Sequence, residues 1–452
     1  MTQETTRPLK KRRRWLRRIG WTLLVLVAFV VVVRVVAGYI TQHMLNGRLE
    51  ALRASGERLR MSELAPPEVS PERNAAVLYV QAFAVLDLLP ERSKLRTSDL
   101  ISTKKPLTPA ELDEARSLLA EAKDALRLLH EGAAHPECRY AVPYDNNAVS
   151  TVLFSHHSRL GAAQRLLALS VHVDLAEGKA DAAAQDCLDM LRLAESTRNE
   201  PLVISMFLEF AYRQLAGKCL EAVLDRSEPS RDILARAAAM LSAEDDRERR
   251  LLANRGERCM GIELFETILR DPGTASQIPG ENLAGSGVLG SALAWVFRPV
   301  IVADFLTYLD AMGRYQRLAH LPFHESRPQV RALADEVEGL TGVVHPFSRF
   351  MVSNIDEQHK AAAWSGARRE CARVAVALRL HRLARGTYPD ALAALVPEFL
   401  SELPKDPMTG TNLLYRREGQ GFVVYSIGLN GKDDGGLDGP GYEGDIAWHV
   451  SR

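Results

Sequence analysis

The segment Trp15–Ile40, WLRRIGWTLLVLVAFVVVVRVVAGYI, constrains this chain more than any other. Ile19–Val33 is an uncharged, mostly apolar run that Arg34 interrupts before Val35–Ile40. At about 1.5 Å per helical residue, such a run reaches roughly 22 Å into a hydrocarbon layer about 30 Å thick. Arg34 then falls in the outer third, where its long stem lets the guanidinium snorkel outward. Trp15 and Trp21 at one end and Tyr39 at the other suit the two headgroup layers. Residues 1–18 hold eight of the 57 Lys+Arg and one of the 57 Asp+Glu, net +7, which leaves 49 basic against 56 acidic groups elsewhere, net −7. That basic cluster keeps the N-terminus in the cytoplasm and sends residues 41–452 across. Val35-Val36-Ala37 has the small-residue look of a signal cleavage site, but the length of the run and Arg34 favour an uncleaved anchor. A buried core helix is excluded by the seven charges packed into residues 10–18. The expectation is a single-pass protein of a bacterial inner membrane, meeting lipid through residues 19–40, with its bulk periplasmic.

The body reads as helix. Its 46% hydrophobic and 25% charged residues exclude wholesale disorder and a polytopic membrane protein. Its mild acidity argues against nucleic acid as a partner. Ser70-Pro71-Glu72 predicts one helix start, and Thr108-Pro109-Ala110-Glu111 predicts another with a capping box. Residues 155–226 predict a helical hairpin turning at Gly178, followed by a third helix. The hairpin is like one tetratricopeptide unit, yet no second copy follows at the required period. Residues 271–290 are a Gly/Pro/Ser-rich loop. Val288–Leu306 is too broken by Arg298, Pro299 and Asp304 for a second span, and predicts a core helix kinked or started near Pro299. The run Glu244–Arg250, EDDRERR, predicts a solvated helix face. The five cysteines are widely spaced and show neither a disulfide framework nor a zinc spacing.

From 386 onward the character changes, and this last stretch holds eleven of the 30 glycines. Leu413–Tyr415 and Phe422–Tyr425 flank Glu418-Gly419-Gln420-Gly421 as a β-hairpin. The loop Gly428–Gly439, GLNGKDDGGLDG, interleaves Asp and Asn with glycine, a pattern that lets several oxygens face one hard cation, although the EF-hand spacing is absent.

Tyr388-Pro389, Leu395-Val396-Pro397, LPKDPMTG at 403–410, YSIGLNG at 425–431 and Asp445-Ile446 follow in one order. This order resembles the soluble domain of the major pseudopilins of type II secretion systems, from the helix that precedes Tyr388 through Ile446. The resemblance implies an α+β module with a Ca²⁺ site drawing on the Ile427 carbonyl, Asn430 and the loop aspartates Asp433, Asp434, Asp438 and Asp445. Asn430 stands where that family carries aspartate, which removes a charge and implies weaker affinity. Most of the chain separates Ile40 from Tyr388, and Val25 stands where the family's assembly glutamate would be, so the whole chain departs from a true pseudopilin. Its layout is similar to that of uncharacterised membrane-anchored bacterial proteins.

Catalytic signals are sparse. His130-Glu131 and His135 lack the i, i+4 spacing of a zinc protease. His156-His157 near Tyr144 and Asp145 offers a polar cluster, although adjacent helical residues point about 100° apart. His381 and Arg382 on the last long helix face solvent or pack on the module. The expected architecture is mainly α, a helical bundle or irregular α-solenoid, with an N-terminal transmembrane helix and a small C-terminal α+β pseudopilin-like module. Its parts are a basic tail (1–18), the span (19–40), a helical domain (41–360) and the module (361–452). The leading function is a membrane-anchored envelope scaffold or interaction protein with a Ca²⁺-stabilised module and an unknown protein partner. The alternatives are an extracytoplasmic hydrolase with its site in the helical domain, and a component of a secretion or pilus-like assembly.

Overall fold

The computed structural model describes residues 9–102, 106–144, 154–242, 246–271, 288–342, 344–439, 442 and 444–451. The protein is mainly helical, with a long apolar N-terminal helix and a small C-terminal antiparallel sheet. The helices are α1 (Leu9–Ala54), α2 (Ala75–Leu88), α3 (Glu91–Ser102), α4 (Pro109–Glu121), α5 (Lys123–Ala133), α6 (Phe154–Ala176) and α7 (Ala180–Glu195). They continue as α8 (Val203–Arg226), α9 (Arg231–Ser242), α10 (Asp246–Arg270), α11 (Val288–Ala319), α12 (Phe323–Glu338), α13 (Pro346–Val352) and α14 (Ile355–Arg385). Strands β1 (Leu414–Glu418), β2 (Gly421–Ser426) and β3 (Ile446–Val450) follow. Two compact units result: Met1–Leu59 with Gly261–Ala311 and Val337–Ser353, and Arg60–Met260 with Met312–Glu336 and Asn354–Arg452.

In the first unit, α1 is long and apolar enough to cross a membrane, and its apolar window is unburied by protein. It runs without a break through Arg34 and on past Ile40 to Ala54. Arg34 turns its guanidinium along the helix toward Gly38, where the missing side chain leaves it room. The unit's aromatic core stacks Phe265 on Phe305 at 4.6 Å between ring centres, with Phe347 edge-on at 5.6 Å. Asp304 is buried beneath α13 and accepts the backbone N–H groups of Phe347 (2.9 Å) and Ser348 (3.2 Å), donors the helix cannot satisfy itself.

The second unit is built on the predicted hairpin. Helices α6 and α7 are antiparallel across Gly178, whose φ of 73° suits a residue without a Cβ, and α8 packs against both. Thr108 and Glu111 close the expected capping box at α4, the Glu111 carboxylate accepting the Thr108 N–H at 2.8 Å. Two boundaries differ from expectation. Helix α2 starts at Ala75 rather than at Pro71, because Asn74 caps it by accepting the Ala76 N–H (3.1 Å) while clamping Arg139 through that residue's N–H and C=O (2.9 Å each). Helix α11 runs through Pro299 instead of starting there; beyond it Val302 and Phe305 are core as expected, whereas Trp295, Val296 and Phe297 before it are solvent-exposed. The 271–290 loop lies outside the described residues except for its ends.

The EDDRERR stretch is corrected in part: Glu244 and Asp245 lie outside the described residues and Arg247 and Glu248 are exposed as expected, but Asp246, Arg249 and Arg250 are buried, not solvated. Arg249 donates to Glu209 on α8 at 2.7 Å and to the carbonyls of Glu200 (3.0 Å) and Leu202 (3.4 Å), and Arg250 donates to the Ala319 carbonyl at 2.6 Å. Burial therefore comes with acceptors for each guanidinium, the condition under which arginine tolerates an interior.

Strands β1 and β2 form the expected hairpin around Gly419-Gln420 in the register Leu414↔Tyr425, and β3 adds an unforeseen third strand, Ser426↔Ile446. β2 and β3 bury Phe422, Val424, Trp448 and Val450 against the helices, and α14 packs on both strands. The outer edge of β3 is closed by α8, whose Glu221 accepts the His449 N–H (2.9 Å) and whose Asp225 accepts the Ser451 N–H (2.7 Å). Carboxylates here take the place of a fourth strand and block edge-to-edge pairing. His381 packs edge-on against Phe399 at 5.5 Å, and Arg382 lies over the Tyr388 ring at 5.1 Å.

Candidate functional site

Three places in the second unit gather chemistry. The first is the glycine-rich loop after β2. Ile427 is held from behind, its N–H and that of Met408 donating to the buried Asp406 carboxylate, which also accepts the Ser426 hydroxyl at 2.8 Å. The LPKDPMTG segment thus fixes the start of the loop. Asn430 donates its amide to Asp434 (2.7 Å) and accepts the Lys432 N–H (2.9 Å). Asp433 accepts the Tyr425 hydroxyl at 3.0 Å and the Gly435 N–H at 2.9 Å.

Asp445, only 3% exposed, accepts the Gly436 N–H at 2.6 Å through Oδ2, while its Oδ1 has no hydrogen-bond partner. Burial raises its pKa, and the charges of Asp434 and Asp433 add to the rise. Asp433, Asp434 and Asp445 therefore share one negative neighbourhood. Asp438 belongs elsewhere: it accepts the Ala447 N–H at 2.9 Å and stands 3.9 Å from the Arg368 guanidinium. An orphaned buried carboxylate oxygen beside two exposed carboxylates fits a hard cation. The fit is incomplete, since the sets of His, Asp and Glu ligand atoms that converge within 4.8 Å among the described residues are elsewhere.

The second place comprises those two sets, the first of them around Glu200. His156 and His157, in the first turn of α6, both reach Glu200, in the turn before α8. The Nε2 atoms lie 2.8 Å from Glu200 Oε1 and 2.9 Å from Oε2. Ser205 donates to Oε2 at 2.5 Å, and Tyr140 stacks on the His156 ring with 4.1 Å between centres. Burial pushes Glu200 up, but the two histidine hydrogen bonds outweigh it and hold the pKa at about 2. The roughly 100° separation of neighbouring helical positions underestimates the reach of imidazole, since the rings converge edge-on at 4.3 Å. Tyr144 is buried within electrostatic range of Glu200, and Asp145 lies outside the described residues. Glu200, far along the chain from both histidines, is the member that sequence reading missed. All three side chains are buried, so this is a closed centre rather than an open catalytic cleft.

The other set joins His130, half-buried on α5, to Asp189 at 2.6 Å and Asp186 at 3.7 Å on α7. Burial raises Asp186 to about 7.

The third place is a cleft of about 1270 Å³ over α8, α14 and the C-terminal segment. Phe207, Phe210, Trp364 and Tyr442 give it aromatic walls, and Lys218, Arg226, Arg368, Glu221, Asp225 and Asp438 line it with both signs of charge. Ligand pockets for small molecules run about 300–1,000 Å³. This cleft is larger than that range.

Compared with protein-family models, curated proteins and solved structures, the chain matches none.

Proposed function

We propose that the protein is a non-catalytic envelope scaffold, anchored by α1 with its N-terminus in the cytoplasm, that holds an extended protein segment in the cleft over α8 and α14. The observation that carries this reading is the cleft itself. Its volume exceeds a small-molecule pocket, and its aromatic walls with mixed charges match the composition by which protein surfaces bind one another. The convergent histidine centre is sealed, which speaks for a binding or structural role over hydrolysis. On the pseudopilin-like reading of the C-terminal segment, Ca²⁺ is held by Asp433, Asp434 and Asp445 with Asn430 and the Ile427 carbonyl. Asp438 stays with Arg368 and Ala447. The ion would relieve the mutual repulsion of the three carboxylates and order the loop at the mouth of the cleft.

The test is site-specific photo-crosslinking in native membranes from Phe207, within the cleft, and from Val80, on the exposed face of α2. A discrete adduct from Phe207 that is lost on Trp364→Ala and absent from Val80 is expected. No adduct from Phe207, or equal adducts from both positions, rejects the cleft as the docking groove.

A further inference from the structure

We propose that His156, His157 and Glu200 form a binding centre for one divalent transition-metal ion, Zn²⁺ by the chemistry of its donors. Two imidazole nitrogens and a carboxylate oxygen are the ligand set that zinc and its neighbours accept, whereas Ca²⁺ and Mg²⁺ demand oxygen alone. The three ligand atoms already lie within 4.8 Å of one another. Tetrahedral Zn²⁺ with bonds of about 2.0–2.1 Å sets its ligand atoms roughly 3.3 Å apart. His156 Nε2 lies 2.8 Å from Oε1 and His157 Nε2 2.9 Å from Oε2, so coordination through one carboxylate oxygen needs the carboxylate to turn and the contact to that oxygen to open by about half an ångström. Ser205 Oγ, 3.2 Å from His157 Nε2 and 2.5 Å from Glu200 Oε2, is a further oxygen beside the three ligands.

Charge argues in the same direction. Arg249, a buried cation, donates to the Glu200 backbone carbonyl and pairs its guanidinium with the Glu209 carboxylate rather than with that of Glu200. The Glu200 carboxylate is left facing two imidazoles and a hydroxyl. A buried carboxylate between two imidazole nitrogens is a donor set that a divalent cation can bridge. Entry of the metal replaces the two Nε2–H bonds to Glu200. Each neutral imidazole moves its proton to Nδ1, and an imidazolium releases one to solvent. Burial of all three ligands makes the centre structural, clamping the start of α6 to the turn before α8.

The test uses the full chain in detergent, stripped with EDTA and titrated with Co²⁺ and then Zn²⁺. One equivalent of Co²⁺ with the intense visible absorption of tetrahedral coordination is expected, displaced by Zn²⁺. Affinity should fall about tenfold or more in Glu200→Gln, be lost in His157→Gln, and stay unchanged in His130→Ala. Absence of binding by the stripped wild type overturns the proposal, as does a signal that follows His130. Should the histidine variants fail to fold, X-ray absorption at the zinc edge of the wild-type chain decides. Two imidazole shells support the centre, and an all-oxygen or sulfur-containing shell rejects it.

A separate observation in the first unit carries a second inference, which rests on α1 spanning the membrane. We infer that the start of α11 lies in the outer headgroup layer. Arg34 Nε donates to the Trp295 carbonyl at 2.9 Å, and its guanidinium lies 4.2 Å from the centre of the Trp295 ring. Arg34 itself reaches toward Gly38, one turn nearer the outer surface. Counting from Ile19 at about 1.5 Å per residue, that level is within a few ångströms of the hydrocarbon boundary. Trp295, Val296 and Phe297 are 44%, 38% and 52% exposed there. A tryptophan beside a snorkelling arginine at this depth is the side-chain pairing that interfaces favour.

Proteoliposomes of brominated phosphatidylcholine test both layers, read as the fluorescence difference between wild type and Trp295→Phe, and between wild type and Trp21→Phe. Quenching of both components is expected. Quenching of the Trp21 component alone leaves the anchor and overturns the inference, and quenching of neither overturns both.

Discussion

Removing the Arg249 guanidinium gives the sharpest energetic prediction. Arg249 and Glu209 have fully buried side chains joined at 2.7 Å, and together they tie the start of α10 to α8. Burial alone pulls the arginine pKa down, and the Glu209 charge acts against that pull. In Arg249→Met the alkyl volume is largely kept, but the Glu200 and Leu202 carbonyls lose their donor. Glu209 keeps Arg198 at 2.9 Å and Arg213 at 3.1 Å. Breaking a buried pair from one side costs about 3–5 kcal/mol. The retained arginines place Arg249→Met near the lower end, about 3 kcal/mol, while Glu209→Leu, which strips a carboxylate from three guanidinia, falls at the top or above. The double variant should cost less than the sum of the two, because the singles remove the same interaction. Urea unfolding of the full chain in detergent, followed by near-ultraviolet circular dichroism, measures all three. Arg249→Met within about 0.5 kcal/mol of wild type, the range of a surface substitution, would refute the reasoning and return EDDRERR to the solvent.

Acid should destabilise the protein in two windows. His359 is buried beside Arg250 with its Nε2 2.9 Å from the Ser326 hydroxyl, and burial followed by the Arg250 charge lowers its pKa to about 3. The unfolded chain takes up that proton first, so stability is lost as pH falls from about 6.5 toward 3, and His359→Gln should flatten that limb of a melting-temperature profile. Glu200, held at about 2, contributes stability above its unfolded pKa of about 4.5 that disappears between there and 2. Glu200→Gln should lower the neutral-pH melting point and remove that acid window. In the EDTA-stripped full chain, excess Ca²⁺ should raise the melting temperature. Asp434→Ala with Asp445→Asn should abolish the response, and an unresponsive wild type would end the Ca²⁺ reading.

Local chemistry made much of the fold legible. Gly178, the Thr108–Glu111 box and the Gly419-Gln420 turn act between near neighbours in the chain, and each sits where its sequence placed it. What stayed hidden depends on partners far along the chain. EDDRERR looks like a solvated face until Glu209, on a different helix from Arg249, supplies the counter-charge. His156 and His157 look divergent until Glu200 arrives from another turn to meet both rings. β3 escaped notice because Ile446–Val450 follows a glycine-rich loop, and its edge is satisfied by Glu221 and Asp225 from α8, a partnership no strand periodicity reveals. Val288–Leu306 is core only in its second half, at Val302 and Phe305, while Trp295 meets Arg34 of α1, a partner more than 250 residues away.

The account stands on α1 remaining in the membrane with the body beyond it. The most direct measurement is labelling of Leu437→Cys, whose side chain position is 68% exposed, with a membrane-impermeant maleimide in cells whose outer barrier alone has been opened. Four of the native thiols are buried and Cys138 is half-buried, so the wild type sets the background. Labelling above that background, on protein that sediments with membranes and resists carbonate extraction, is the predicted result. Labelling only after lysis of the inner membrane, or recovery of a shortened chain in the soluble fraction, would contradict it.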